Sequence, residues 1–286
     1  MLDVMPHKPS GNGDSAPPCP YLYIYYLSGR LSVKETHDFG ASFIGNWEEG
    51  ETSFLFFARP ADDMIKRFLK ARPCLELKDR FEMSYADWHG GAVAPFQVGG
   101  LQVVPPWAKT PSGTAEQTLL LDPGVVFGAG NHPTTRHCLL AIETLMANET
   151  VETVLDLGAG TGLLALAAAS RGAARVLAVD NNFLAAKTVW TNIRHNHLTD
   201  RMLSIAGDAR DFIDWPADLV VANIHYDVMQ QLVATPGFRQ KKWFVLSGLM
   251  PTQARRIKDR LVRCRAEILE EWIQDGIWHT MLGKMM

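Results

Sequence analysis

Val154-Leu-Asp-Leu-Gly-Ala-Gly-Thr-Gly162 is the stretch that decides the fold. An apolar run of strand length carries Asp156 near its end. Glycines then fall at Gly158, Gly160 and Gly162, and a helical segment, Leu163–Ser170, follows. Glycines in such a turn let a ligand approach the backbone closely, and the first turn of a helix offers unpaired N–H groups. The next apolar run, Arg175–Val179, ends at Asp180 and Asn181. An acid about twenty residues beyond the loop is placed to accept the hydroxyls of a ribose. The spacing is GxGxG, with Leu163 where a dinucleotide loop would carry its third glycine. Asp156, directly before the loop, would repel a pyrophosphate but suits the sulfonium and ammonium of S-adenosylmethionine. The plainer alternative, a turn that only packs helix on strand, leaves both acids without a purpose.

The flanking sequence repeats the strand–helix alternation. Leu219–Ala222 precedes Val228–Val233, and Trp243–Leu246 precedes Thr252–Val262. Continuous apolar strands between helices predict a buried parallel sheet with helices on both faces. Ile268–Trp272, a turn at Asp275–Gly276 and Ile277–Leu282 predict an antiparallel hairpin at the end. The expected fold class is therefore α/β, a doubly wound, mostly parallel, Rossmann-like sheet with an antiparallel C-terminal hairpin. Two further polar residues fall at strand ends. Asp208, in Gly207-Asp208-Ala209, could accept from an adenine amine or cap a helix. Asn223 could orient an amine nucleophile through its amide oxygen.

Ahead of this region the composition differs. Tyr21–Leu27, Phe39–Trp47 and Thr52–Phe57 read as strands, and residues 61–71 as a short helix with Met64, Ile65, Phe68 and Leu69 on one face. The expected organisation is a flexible tail over 1–20, a small α+β domain over 21–85, a linker over 86–115 and the nucleoside-binding α/β domain over 116–286. The linker is rich in glycine and proline, with one strand at Leu101–Val104; Gly90–Gly91 and Gly99–Gly100 permit hinge motion. Tyr21, Tyr23 and Tyr25 alternate along the first strand and read as core in preference to a docking surface.

The 286 residues carry 28 Lys plus Arg against 31 Asp plus Glu, a net charge of −3, which argues against a chain built to coat nucleic acid. The most basic stretch, Arg255–Arg265, reads as the solvated face of an amphipathic helix, with contact to RNA as the alternative. No run is long and apolar enough for a membrane span or a signal peptide. The four cysteines form no CxxC pair, so reduced thiols and a cytoplasmic location are expected. The histidine pairs His132/His137 and His195/His197 lack partners at metal-ligand spacing, and no metal is expected.

Asp122-Pro-Gly-Val-Val-Phe-Gly-Ala-Gly-Asn-His-Pro-Thr-Thr135 resembles the loop of the PrmA family, the methyltransferases of ribosomal protein L11. The resemblance continues through Asp156–Gly162, Asp180, Thr191-Asn192, Asn223-Ile224, Ser247-Gly248 and Glu271-Trp272, and covers roughly residues 85–286. It implies a class I methyltransferase fold, S-adenosylmethionine as donor, an N-terminal domain that docks a protein substrate, and methylation of protein amines. By that resemblance Phe127, Gly128 and His132–Thr135 line the donor pocket, and Asn223 faces the acceptor amine from it; they join Asp156, the three loop glycines, Asp180, Asn181, Asp208 and Ala209 as the expected donor-binding residues. Thr134 and Thr135 also stand where they would cap a helix beginning at Arg136. The expected partner is a ribosomal protein, with no direct nucleic-acid binding. Two features depart from the family. Only Ser28–Asp38 separate the first two strands, which leaves little room for the helix expected there, and His225 and Tyr226 follow Asn223-Ile224. The alternatives are a protein-lysine methyltransferase with another substrate, a small-molecule methyltransferase, or a non-catalytic module that kept the donor pocket.

Overall fold

The computed structural model describes residues 17–31, 33–111, 113 and 115–286. Most of the tail expected over 1–20 thus lies outside the described residues. The N-terminal part runs β1 (Tyr21–Ser28), α1 (Val33–Thr36), a 3-10 turn (His37–Phe39), β2 (Phe43–Glu49), β3 (Thr52–Phe57), α2 (Asp62–Lys70), β4 (Glu76–Ser84) and α3 (Tyr85–Trp88). Its four strands are antiparallel in the order β2-β3-β1-β4. This is a split strand–helix–strand arrangement in which the first connection, residues 29–42, holds only the one-turn α1 and the 3-10 turn; Phe39, expected to open the second strand, lies in that turn, and the strand begins at Phe43. Tyr25, Leu27, Phe57 and Ile65 form the core under α2. The Tyr25 hydroxyl accepts from Ala61 N at 2.8 Å and so serves an α2 start that has no side-chain cap of its own. β4 is solvent-facing and polar along most of its length, so it carries no hydrophobic signal.

Residues 86–115 are more than a linker. β5 (Phe96–Val98) and β6 (Leu101–Val104) form a hairpin, and β6 pairs in parallel with β7 (Gln117–Leu120). Gly99 and Gly100 make the hairpin turn. Gly100 N donates to Glu143 Oε1 at 2.9 Å, and a Cβ on Gly99 would lie 1.6 Å from Glu143 Oε2. The glycines are there because a carboxylate abuts them; they are not a hinge.

The remaining elements are α4 (Pro133–Asn148), β8 (Thr153–Leu157), α5 (Leu163–Ser170), β9 (Arg175–Asp180), α6 (Phe183–His195), β10 (Met202–Ala206), α7 (Ala209–Phe212), β11 (Leu219–Asn223), α8 (Tyr226–Leu232), α9 (Pro236–Arg239), β12 (Trp243–Leu249), α10 (Pro251–Arg263), β13 (Ala266–Gln274) and β14 (Trp278–Met285). The seven-stranded sheet has the order β10-β9-β8-β11-β12-β14-β13, parallel except for β14 and β13. Asp275 and Gly276 both adopt positive φ in the terminal hairpin turn, the geometry that matches strand twist. One core lies between the sheet and α4–α6, the other between the sheet and α8–α10. α5 is buried on nearly every side, which explains its Leu/Ala sequence. The strand order reverses between β8 and β11, and ligands of such sheets bind at the strand ends beside that switch.

The N-terminal sheet turns its second face onto this domain. Leu22, Ile24 and Phe56 pack with Val125, Val126 and Leu184. A Cβ on Gly45 would lie 2.4 Å from Leu184 Cδ1, so β2 needs a glycine to approach α6 this closely. No helix among the described residues is long and apolar enough to cross a membrane.

Candidate functional site

Asp156, Gly158, Gly160, Gly162, Asp180 and Asn223 meet at the C-terminal ends of β8, β9 and β11. Asp156 is 1% exposed. Its Oδ2 accepts from Ala165 N at 3.1 Å, while its Oδ1 has no partner. Burial pushes its carboxyl up to about 7, helped by the negative Asp180 nearby and opposed by the Ala165 bond. Asp180 Oδ2 accepts from Gly160 N and its Oδ1 from Asn182 N, each at 2.9 Å. Burial raises this acid too, although both backbone bonds pull it down. Two buried carboxyls around one glycine loop have an evident use as the counter-charge for a cationic ligand.

The loop from Asp122 to Asn131 closes over the glycines. Thr161 N donates to Phe127 O at 3.0 Å and Thr161 Oγ1 to Gly128 O at 2.7 Å. Asn192, fully buried on α6, ties the loop down: its Oδ1 accepts from Asp122 N at 2.8 Å, and its Nδ2 donates to Asp122 O and Thr161 O, each at 2.9 Å. Gly124 O accepts from the Tyr85 hydroxyl at 2.9 Å and lies 3.0 Å from His89 Nε2, which joins the loop to α3. Between Phe127, Gly128, Gly158, Gly160 and Asn223 remains a space of about 20 Å³, room for roughly one water. Ile224 also covers Gly158, where a Cβ would come within 2.0 Å of Ile224 Cγ2. The chemistry of the residues fits S-adenosylmethionine, and Phe127 and Ile224 must part from the glycines to admit it.

On its other side the loop borders a cleft of about 790 Å³ against the N-terminal sheet. Trp47, Phe54, Phe56, Phe81, Met83 and Trp88 supply the sheet side, and Phe127, His132 and Thr135 the opposite wall. Phe56 and Trp88 meet edge to face at 5.1 Å.

Some expected roles move. Thr134 and Thr135 do not cap α4; they lie inside its first turn, and His132 is the cap, its Nδ1 accepting from Thr134 N. Pro133 at the first helical position explains the earlier start, because it fixes φ and needs no N–H partner. Thr134 Oγ1 accepts from Asn223 Nδ2 at 3.3 Å, and Thr135 Oγ1 is buried without a partner. Asp208 is the cap of α7, accepting from Arg210 N at 2.9 Å, and both its oxygens also meet the Arg210 guanidinium, which holds its carboxyl below the usual range. Ala209 opens that helix. Asn181 is exposed beside Asp180, and its neighbour Asn182 caps α6. Tyr226 is buried with Met229 beneath the sheet, and His225 is an exposed cap of α8, so neither stands beside Asn223 as a pocket wall. Sequence reasoning missed Ile224 as a cover because that contact crosses the fold, and missed His132 as a cap because Pro133 at the first helical position starts α4 earlier than the threonines suggested.

The family described as "Ribosomal protein L11 methyltransferase (PrmA)" matches residues 58–285. The chain belongs to this family. It is accordingly a methyltransferase, and methyltransferases of this kind use S-adenosylmethionine. The family match begins further upstream than the loop motifs alone reach, within the N-terminal sheet. A ribosomal protein L11 methyltransferase of Clostridium perfringens is 32% identical over 74% of this chain and 67% of its own length. One from Myxococcus xanthus is 32% identical over 74% and 71%, and one from Streptococcus equi 30% over 71% and 65%. The chain thus spans about two thirds of the length of the relatives it matches. The crystal structure of the ribosomal protein L11 methylase from Lactobacillus delbrueckii superposes with a TM-score of 0.60 at 28% identity, over 68% of this chain and all of that one.

Proposed function

We propose that this chain transfers methyl groups from S-adenosylmethionine to amines, a lysine side chain or an N-terminus, of ribosomal protein L11. The observation that carries this reading is the position of Asn223. It stands at the end of β11 next to the glycine loop, and the Asp122–Asn131 segment that covers those glycines also borders the aromatic cleft against the N-terminal sheet, with Phe127, Gly128 and Thr135 facing both spaces. An acceptor entering through the cleft and a donor held by the glycines would meet there.

The donor supplies an activated methyl on a sulfonium. Asp156 and Asp180 would hold its cationic and ribose parts, with Gly158, Gly160 and Gly162 permitting close approach and Phe127, Gly128, Thr134 and Thr135 closing the pocket. Asn181, Asp208 and Ala209 would flank the nucleoside, and Asp208 would have to share its carboxylate with Arg210. The acceptor must be neutral. Deprotonating a free lysine at pH 7 costs about 4.6 kcal/mol, and an apolar cleft lowers that cost by disfavouring the ammonium. No strong base is required: Asn223 would accept an N–H from the amine and aim its lone pair, and positioning does the rest. The reading places the reaction in the cytoplasm, where such a substrate would be met, and the net charge of −3 argues against direct binding of nucleic acid.

The test is methyl transfer from labelled donor to isolated ribosomal protein L11 and to cell extract, with products identified by mass spectrometry. Label on ribosomal protein L11 is expected. Label only on another protein would keep the chemistry and move the substrate. The reduced first helix of the N-terminal sheet favours that second reading, since it alters the docking domain. Donor binding without any transfer would point to a small-molecule acceptor or a binding role.

A further inference from the structure

Asn223 can orient an amine only if its amide points the right way, and nothing in an amide's own shape decides this. Its immediate partner, the Thr134 hydroxyl, is equally undecided, since a hydroxyl both donates and accepts. The direction has to be imposed from further back. His132 Nδ1 lies 2.7 Å from Thr134 Oγ1. The same Nδ1 caps α4 by accepting from Thr134 N, at 3.4 Å. A nitrogen that faces an N–H donor is a lone pair, so the ring proton sits on Nε2. The Thr134 hydroxyl must then donate to His132, and its oxygen is left to accept. The Asn223 atom facing it, 3.3 Å away, must be the amino group. The carbonyl oxygen Oδ1 is thereby turned the other way, toward Gly248, where a Cβ would come within 3.1 Å of it and a glycine leaves the approach open.

We infer that His132 is a positioning residue: through Thr134 it sets the direction of the Asn223 amide, so that neutral His132 presents Oδ1 to the acceptor amine and protonated His132 reverses the chain. Protonation makes Nδ1 a donor. Thr134 must then accept from it and donate onward, which favours Oδ1 facing Thr134 and leaves the acceptor facing an N–H pair. The inference rests on the amine-transfer reading above.

The surroundings keep His132 from titrating with a neighbour. Its ring lies 5.0 Å from that of Trp278 on β14 and 5.8 Å from that of Phe127, both uncharged. Burial lowers its pKa, and no charged side chain among the described residues offsets that. Across the cleft the titratable groups are Glu49 on the sheet and His89 after α3, whose Nε2 is engaged with Gly124 O. On its own helix Arg136 donates to Gly130 O and His137 is half-buried. On β14, His279 is bonded to Glu271.

The test compares the native chain with His132→Asn, which keeps an acceptor at the cap but cannot titrate. The rate at saturating donor and acceptor is measured from pH 5 to 9. Ionisation of the acceptor amine affects both proteins and cancels in the ratio. The native-to-variant ratio should be flat at neutral and alkaline pH and fall below the His132 pKa, approaching about tenfold per pH unit. His132→Ala, which removes the acceptor, should lower the rate on the order of 10–100-fold at pH 8 with donor affinity retained. A ratio that is flat to pH 5 overturns the inference. A second measurement needs no turnover: nitrogen-15 imidazole shifts at pH 7.5 should show an unprotonated Nδ1, and a protonated Nδ1 there overturns it as well. Absence of methyl transfer by the native chain, with the Nε2–H form still observed, would refute the amine-transfer reading while leaving the hydrogen-bond direction intact.

Discussion

Replacing Asp156 by asparagine should change stability in a pH-dependent way. The carboxyl is buried, one oxygen has no partner, and burial raises it from 3.8 to about 7. The folded chain therefore favours the protonated form. The cost of burying the charge is absent below pH 3.8, grows as pH rises through the window and levels off above pH 7. At about 1.36 kcal/mol per unit, the saturated cost is about 4 kcal/mol, and at pH 5 it is less than half of that. An asparagine at this position would carry no such cost, but its amino group would inherit the unpartnered position at a pH-independent penalty of about 1–3 kcal/mol. The constant offset cancels when two pH values are compared. The stability difference between Asp156→Asn and the native chain should thus shift in favour of the variant by about 3 kcal/mol between pH 5 and pH 8. Urea unfolding followed by tryptophan fluorescence at both pH values measures it. An unchanged difference would refute the reasoning and mean that water reaches the carboxylate. The same variant should lose donor affinity by about tenfold or more, the worth of one contact to a charged group.

Asn192→Ala removes three buried hydrogen bonds of 2.8–2.9 Å that tie Asp122 and Thr161 to α6; at about 1 kcal/mol each it should cost about 3 kcal/mol, a drop of roughly 6–12 °C in a thermal melt. Gly160→Ala puts a Cβ 2.3 Å from Phe127 O at a φ of +55°, so calorimetry should find donor binding weakened, on top of about 1–3 kcal/mol of backbone strain. Asp180→Ala should abolish donor binding in the same titration, and near-normal affinity would contradict the ribose assignment. Asn223→Ala should slow transfer while donor affinity survives; parallel loss of both would remove its role at the acceptor.

Much of the catalytic half was legible in the linear sequence because its signals are local. Strand-length apolar runs alternating with helices dictate a parallel sheet, and a GxGxG turn between two acids marks the passage from β8 to α5 beside the switch in strand order. The terminal hairpin was legible for the same reason, since Asp275-Gly276 can take the positive φ its turn needs. The failures also have a common cause. β4 is polar because it faces solvent, so it gave no periodic signal. The strand at Leu101–Val104 was legible and is β6, but its partner β5 was not: β5 is held by pairing to β6, and the Gly99–Gly100 turn between them by Glu143 on α4, a partner that only folding brings close, so the glycines resembled a flexible linker. Thr134 and Thr135 looked like caps because capping chemistry is local, yet Pro133 admits an earlier start and gives that task to His132.

Residue types at the ends of β8, β9 and β11 thus came from the sequence alone: two acids, three glycines and an amide. Their states came from the tertiary structure. Asp156 is raised because its surroundings exclude water, Asp208 is engaged because Arg210 folds back onto it, and Asn223 is hydrogen-bonded to Thr134, far away in the chain, because β11 and α4 are brought together. Hydrogen-bond direction and desolvation are properties of neighbours in space, and only the folded chain supplies those neighbours.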